Sequence, residues 1–147
     1  MANYAAQTDL EAYFGDNEVL IAADREGSGS LTDVTVVAVI EAALLAATED
    51  IDSYLALRYD LPLAETPGAL NRRCCDIAMH YMSITSHAMT DDKETRNKAA
   101  IKWLGDVSRG IVTLGPKEEE VSVQDKATVS TNSETRLFSR TKMAGLL

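Results

Sequence analysis

The sequence predicts an all-α protein, a small helical bundle around one long central helix that is followed by an extended C-terminal tail. The chain has 147 residues, enough for one domain with a single core, and 46 % of them are hydrophobic while only 5 % are aromatic. This composition is typical of aliphatic, alanine-rich helical proteins. Apolar side chains recur at the three- and four-residue spacing of amphipathic helices. We therefore predict a helical domain, residues 1–115, and a tail, residues 116–147.

Two short helical segments open the chain. Thr8 begins the sequence TDLE, in which Thr8 and Glu11 have the spacing of a capping box that satisfies free backbone amides. A first helix is therefore predicted from Thr8 to about Gly15. Asp16 or Asn17 can cap a short helical turn, EVLIAAD, and the glycines and serines of the following DREGSGS predict a surface loop.

The longest predicted helix begins at Thr32 or Asp33. Its stripe of helical spacing comprises Val37, Ile40, Leu44, Ala47, Ile51, Tyr54 and Arg58. About 27 residues at a rise of roughly 1.5 Å give a helix of about 40 Å, long enough for the other helices to pack against it. The helix is expected to end in LPLAETP, because Pro62 disfavours helical geometry at the residue before it.

The end of this helix is predicted to form a structural corner. Tyr54, Arg58, Tyr59 and Pro62 lie where the chain turns into the next helix. We expect Arg58 to act as a local anchor, paired with Asp76 or with a carbonyl at a helix end.

Two further helices follow the corner. Thr66 is placed to cap the first, with Pro67 at its first position. Its predicted apolar stripe comprises Leu70, Cys74, Ile77, Ala78, Tyr81, Met82 and Ile84. Thr90 caps the last helix, which carries acids in its first turn, Arg109 in its last turn and Gly110 as terminator. Its predicted buried side comprises Ala99, Ile101 or the stem of Lys102, Trp103, Leu104 and Val107.

Candidate metal ligands do not have the spacing of known sites. Asp24, Glu26 and Ser28 occupy alternate positions, as in a calcium loop, but the remaining EF-hand ligands are not all in place. A polar loop with a capping aspartate is the favoured interpretation. His80 and His87 are seven residues apart near the adjacent Cys74 and Cys75, a spacing that zinc sites do not use. A core or interface role is favoured for the histidines, and no metal or cofactor is predicted.

A cluster of carboxylates on the long helix is the other candidate for chemistry. Glu49, Asp50 and Asp52 are close in sequence but point in different directions around a helix, so a solvated or salt-bridged face is favoured over paired acid–base catalysis. The sequence contains no nucleophile elbow, phosphate loop or dinucleotide fingerprint. A hydrolase using Asp50 or His80 is the least favoured function, and no catalytic residue is predicted.

The charge of the chain is distributed unevenly. Residues 1–65 hold 13 acids and only two bases, Arg25 and Arg58. Such a surface repels phosphate and argues against sequence-specific nucleic-acid binding, although DNA can pass it without adhering. No window approaches the roughly 20 apolar residues of a membrane span, and the two cysteines are adjacent, which disfavours a disulfide between them. A soluble cytosolic protein without membrane contact is expected.

The tail combines a polar linker with an apolar end. Its last segment, RLFSRTKMAGLL, interleaves large apolar side chains with Arg136, Arg140 and Lys142. We expect this segment to dock on a neighbouring subunit or a partner through Leu137, Phe138, Arg140, Met143, Leu146 and Leu147. Val121 and Val123 alternate with polar residues and are a candidate strand that adds to a neighbour.

Five segments together resemble the neck proteins of Mu-like phages and prophages. They are MANYAAQTDLEAYFG, IDSYLALRYDLPL, RRCCDIAMHY, KWLGDVSRGIVTLG and RLFSRTKMAGLL. The likeness covers nearly the whole chain in the same order, and it is weakest over residues 116–135. The family is similar in helical layout to the head-tail connector, or adaptor, proteins of other tailed phages.

The resemblance implies a structural virion protein assembled in the host bacterial cytoplasm. Residues 1–115 would be an adaptor domain in a dodecameric ring that docks on the portal protein and joins the head to the tail. Its other face would meet a tail-completion, terminator or other neck protein. The ring would line the channel for double-stranded DNA, with Glu41, Glu49, Asp50 and Asp52 at the channel or a subunit boundary.

The alternative function is a small cytosolic helical adaptor that binds another protein through its tail. A monomer that assembles only on the portal favours the neck function. A stable heterodimer with a host protein favours the alternative.

Overall fold

The computed structural model describes residues 3–115, which form five α-helices and no strand. The helices are α1 (Gln7–Phe14), α2 (Asp16–Ala23), α3 (Val34–Leu55), α4 (Gly68–Ser86) and α5 (Asp91–Ser108). The all-α prediction is confirmed for this part of the chain. The predicted tail, with its candidate strand at Val121 and Val123, lies outside the described residues.

Helix α1 begins earlier than the capping-box pattern predicted. Ala6 is the N-cap residue, and its amide donates to the Asp9 carboxylate at 2.8 Å. The Glu11 carboxylate instead accepts from the Gln7 side chain. Asp9 therefore performs the capping that was predicted for Thr8 and Glu11, because it lies at the correct distance from the real first turn. The short EVLIAAD turn is a full helix, α2, that starts directly after Gly15.

Helix α3 is the longest helix, as predicted, but it ends at Leu55 rather than near Arg58. Asp33 is its N-cap residue, and the carboxylate accepts from the Thr35 amide at 2.8 Å. The amides of Arg58 and Tyr59 both donate to the Leu55 carbonyl, which closes the last turn before Pro62 is reached. The buried face of α3 comprises Val36, Ile40, Ala43, Leu44, Ala47, Thr48, Ile51 and Leu55.

Helix α4 follows Pro67, which is the N-cap residue in place of the predicted Thr66. Most of its predicted stripe is buried, but Tyr81 and Ile84 are 36 % and 51 % exposed, and the prediction is wrong for these two. The helix packs against all four other helices, so its buried surface is not a single stripe. Near its end the buried side chains are Met79, Met82 and Ser83, which leaves Tyr81 and Ile84 outside.

Helix α5 has the predicted boundaries. The Thr90 hydroxyl accepts from the Lys93 amide, and the chain leaves the helix through Gly110 at a φ of 78°. Its buried apolar residues are Ala100, Leu104 and Val107. Ala99 is exposed and Ile101 and Trp103 are half-buried, so the predicted buried face is rotated by about one residue.

The core contains a few polar groups with named partners. Asp76 is buried 3.7 Å from Arg73, and burial raises the pKa of its carboxyl even though Arg73 lowers it. The buried Lys93 ammonium donates to the Ala88 carbonyl and pairs with Glu18, both at 3.1 Å. Cys74 and Cys75 are buried thiols whose pKa values burial raises to about 11 and about 12. None of the described helices meets the length and hydropathy that a membrane span requires.

Candidate functional site

The four acids predicted at a channel or subunit boundary divide into two kinds. Glu41 and Glu49 are exposed on α3, whereas Asp50 and Asp52 are half-buried. The Tyr81 hydroxyl donates to the Asp50 carboxylate, and the Tyr4 hydroxyl donates to the Asp52 carboxylate. Asp50 thus ties α4 to α3, and Asp52 ties the N-terminal segment to it.

These hydrogen bonds keep the two phenols neutral. The bond to Asp50 and partial burial raise the pKa of Tyr81 to about 12. Burial and the bond to Asp52 raise the pKa of Tyr4 as well. A phenol with a raised pKa is a poor general base near neutral pH, so the arrangement supports a structural role for both pairs.

An apolar groove lies between α3 and α4, beside the Tyr81–Asp50 pair. We name it the α3–α4 groove; its volume is about 420 Å³, and its lining comprises Arg25, Ala38, Val39, Ala42, Ala43, Ala46, Tyr81, Met82 and Thr85. Three of its alanines recur every fourth residue along α3, and their small side chains leave the space open. The Arg25 guanidinium donates to the Thr85 hydroxyl at 2.8 Å.

Sequence reasoning missed this groove. The available signal was the spacing of Ala38, Ala42 and Ala46, which places three small side chains on one side of a helix.

A second cavity of about 420 Å³ adjoins the N-terminal segment, and it is lined by Asn3, Tyr4, Ala5, Ala6, Gln7, Asp9, Glu41 and Leu44.

The predicted corner connects the ends of α3 and α5. Arg58 lies over the Tyr59 ring, 5.9 Å from its centroid, and a Cβ atom at Gly110 would collide with its guanidinium. Asp76 pairs with Arg73, so the predicted pairing of Asp76 with Arg58 is wrong. Arg58 lies instead beside Gly110, just after the end of α5.

The rest of the corner prediction concerns two other residues. Tyr54 is half-buried and packs against the core, and the Leu61–Pro62 peptide bond is cis.

The glycine-rich loop after α2 is organised by one carboxylate. Asp24 accepts from the backbone amides of Glu26, Gly27, Ser28 and Gly29 at 2.8 to 3.2 Å. The bonds from Gly29 and Ser28 contribute most to a lowered pKa of Asp24. Because the loop's own amides occupy this carboxylate, the structure supports the polar loop with a capping aspartate.

The two histidines differ in their exposure to solvent. His80 is half-buried, and burial lowers its pKa, whereas His87 is exposed at the end of α4 with a φ of 60°. Within residues 3–115, no three His, Cys, Asp or Glu side chains are grouped as metal ligands.

The predicted partner-binding residues of the tail lie outside the described residues. They are Leu137, Phe138, Arg140, Met143, Leu146 and Leu147. Their assignment stays a prediction.

Comparison with known proteins gives one family over most of the chain. Residues 4–132 match the family described as bacteriophage Mu, Gp36. The Mu-like prophage FluMu protein gp36 of Haemophilus influenzae is 30 % identical over 108 residues, which are 74 % of this chain and 75 % of that protein. Gene product J of Escherichia phage Mu is 30 % identical over 140 residues, 94 % of this chain and 95 % of that protein.

Proposed function

The chain belongs to the bacteriophage Mu Gp36 family, as the resemblance predicted, and we propose that it is a structural protein of the virion neck. In this proposal it forms a ring that docks on the portal, joins the head to the tail and lines the DNA channel. A tail-completion or other neck protein binds the opposite face. The protein carries out no catalysis of its own.

The observation that carries this proposal is the extent of the family match. It spans residues 4–132 and so includes the five helices described within residues 3–115. The similarity to gene product J runs over nearly the full length of both chains. A shared single-domain architecture is expected when proteins of related phages occupy the same place in a particle.

The charge on α3 is compatible with a channel wall. Glu41 and Glu49 are both exposed, and they lie seven and fifteen residues after Val34, the first residue of α3. Carboxylates on such a surface repel DNA phosphates, so that DNA passes without adhering.

The test uses a phage that carries this protein, with the codons for residues 134–147 deleted from its gene. All described helices precede this segment, so the truncated protein is expected to stay helical by circular dichroism. We expect filled heads that do not join tails, counted by electron microscopy, and a loss of infectious titre.

A matched pair of point variants controls for the length of the tail. Phe138→Ala removes a large apolar side chain, whereas Ser139→Ala changes the neighbouring position very little. We expect only Phe138→Ala to lower the yield of joined particles. A normal yield of infectious particles from the truncated protein would show that the tail has no role in joining.

A further inference from the structure

We propose that the α3–α4 groove is the docking site for residues 136–143 of a neighbouring copy of this chain. The inference rests on the proposed ring and names the surface that one subunit offers to the next. A ring closes through heterologous contacts, in which a segment of one copy binds a different surface of the next copy.

The groove is an apolar surface that this subunit leaves uncovered within the described residues. Ala38 and Ala42 are exposed along it, and Tyr81 and Leu45 are 36 % and 44 % exposed at or beside it. Large apolar side chains in contact with water favour association, because burial removes that surface from solvent.

The charges beside the groove are complementary to those of the tail. Tyr81 lines the groove, and its hydroxyl donates to the Asp50 carboxylate. Glu49, the preceding residue on α3, is exposed. Residues 135–147 contain Arg136, Arg140 and Lys142 and no acid. An apolar segment with these charges can pair with the carboxylates of Asp50 and Glu49, whereas Arg25, the charged residue among those lining the groove, already donates to the Thr85 hydroxyl.

The lengths also agree. The stretch from Ala38 to Asp50 on α3 covers roughly 18 Å at about 1.5 Å per residue. An extended peptide crosses that distance in about six residues, fewer than residues 136–143 provide. Residues 116–135 can span at most roughly 70 Å, so this linker does not confine residues 136–143 to their own subunit.

Cysteine cross-linking between two differently tagged full-length proteins tests the contact. One carries Ala42→Cys in the groove and the other carries Ser139→Cys, which keeps the Phe138 side chain, and they are mixed at high concentration, with and without the portal protein, in the presence of an added oxidant. We expect a disulfide-linked heterodimer on a non-reducing gel. Cys74 and Cys75 are buried and are not expected to compete, because an inaccessible thiol with a raised pKa reacts slowly.

Two controls decide what a cross-link means. Ala99→Cys places the same thiol on an exposed alanine of α5, and it should not cross-link with Ser139→Cys. A chain carrying both Ala42→Cys and Ser139→Cys should give linked copies. An internally closed monomer would overturn the contact between copies, and equal cross-linking at Ala99→Cys would overturn the choice of groove.

A second variant tests the groove without relying on one thiol. Ala42→Arg fills it and repels the basic segment, and we expect cross-linking between Ala46→Cys and Ser139→Cys to fall about tenfold. Ala99→Arg, the matched control, should leave that yield unchanged. An unchanged yield with Ala42→Arg would contradict the proposal.

This outcome is separable from that of the proposed function. If truncation of residues 134–147 prevents head–tail joining but no cross-link forms, the groove assignment is wrong and the neck function stands. If the cross-link forms but the protein is absent from the neck of purified particles, the groove contact stands and the neck function is wrong.

Discussion

Gly110 is the residue at which the end of α5 meets the end of α3. It has a φ of 78° and lies against the Arg58 guanidinium, which in turn covers the Tyr59 ring. A side chain there would have a strained backbone conformation, and the flexible Arg58 side chain would have to move from its place over the Tyr59 ring. The corner is therefore held by a glycine from one helix end and an arginine from the other.

We expect Gly110→Ala to lower the free energy of unfolding by more than Gly27→Ala does. The φ angle is 78° at Gly110 and 77° at Gly27, but nothing lies within 4 Å of a Cβ atom placed at Gly27. Left-handed geometry alone costs an alanine about 1 kcal/mol. Urea denaturation of the full-length protein measures the difference.

The Arg58→Ala background isolates the collision. There, Gly110→Ala should cost no more than Gly27→Ala. Equal losses for the two glycine variants in the wild-type background would show that Arg58 does not constrain Gly110.

At the scale of the helix, each element combines a local start signal with a buried face. The start of α5 is the clearest case, since the Thr90 hydroxyl accepts from the Lys93 amide and the Lys93 side chain then contacts Ala88 and Glu18. The cap thus positions the lysine that links α5 to α2.

Thr90→Ala is expected to destabilise the protein by about 1 kcal/mol, the usual cost of losing a hydroxyl N-cap. Thr95→Ala is the matched control, because Thr95 is exposed within the same helix and alanine is a better helix former. Thermal unfolding followed by circular dichroism compares them. A loss for Thr95→Ala as large as that for Thr90→Ala would contradict a capping role.

Sequence reasoning identified the start of α3 and the cap of α5, but it did not identify the N-cap residues of α1, α2 and α4. Thr90 was predicted as a cap, and Asp33 was one of two residues predicted to start the long helix. The hydrogen bonds of both caps reach only two or three residues along the chain. Tyr81 and Ile84 were wrongly predicted as buried, because periodicity identifies an apolar side of a helix but not which neighbours reach it. The α3–α4 groove was missed for the same reason.

At the scale of the whole molecule, charge is the property with the clearest consequence. Residues 1–65 hold 13 acids and two bases, and Glu41 and Glu49 are exposed on the longest helix. If Glu41 and Glu49 line a DNA channel, the rate of DNA passage depends on the position of the negative charges as well as on the net charge of the protein.

We expect particles carrying Glu41→Lys and Glu49→Lys to release DNA more slowly than wild-type particles, because lysines attract phosphate. Particles carrying Glu26→Lys and Asp60→Lys undergo the same change of net charge at exposed positions elsewhere. Release is followed with a fluorescent DNA stain, and the slowing should weaken as salt is raised. Equal rates for the two pairs would exclude a channel position for Glu41 and Glu49.

The all-α class, the long helix, the boundaries of α5 and the likeness to Mu-like phage proteins could be predicted from the sequence. These depend on local hydrogen bonds, periodicity and residue order, which are properties of the chain read along its length. Only the packing of the helices determines that Asp50 and Asp52 accept hydrogen bonds from tyrosine hydroxyls 31 and 48 residues away, that Arg58 lies against Gly110, and that a groove remains between α3 and α4. Such pairings depend on how helices distant in sequence pack together, and no local pattern encodes that packing.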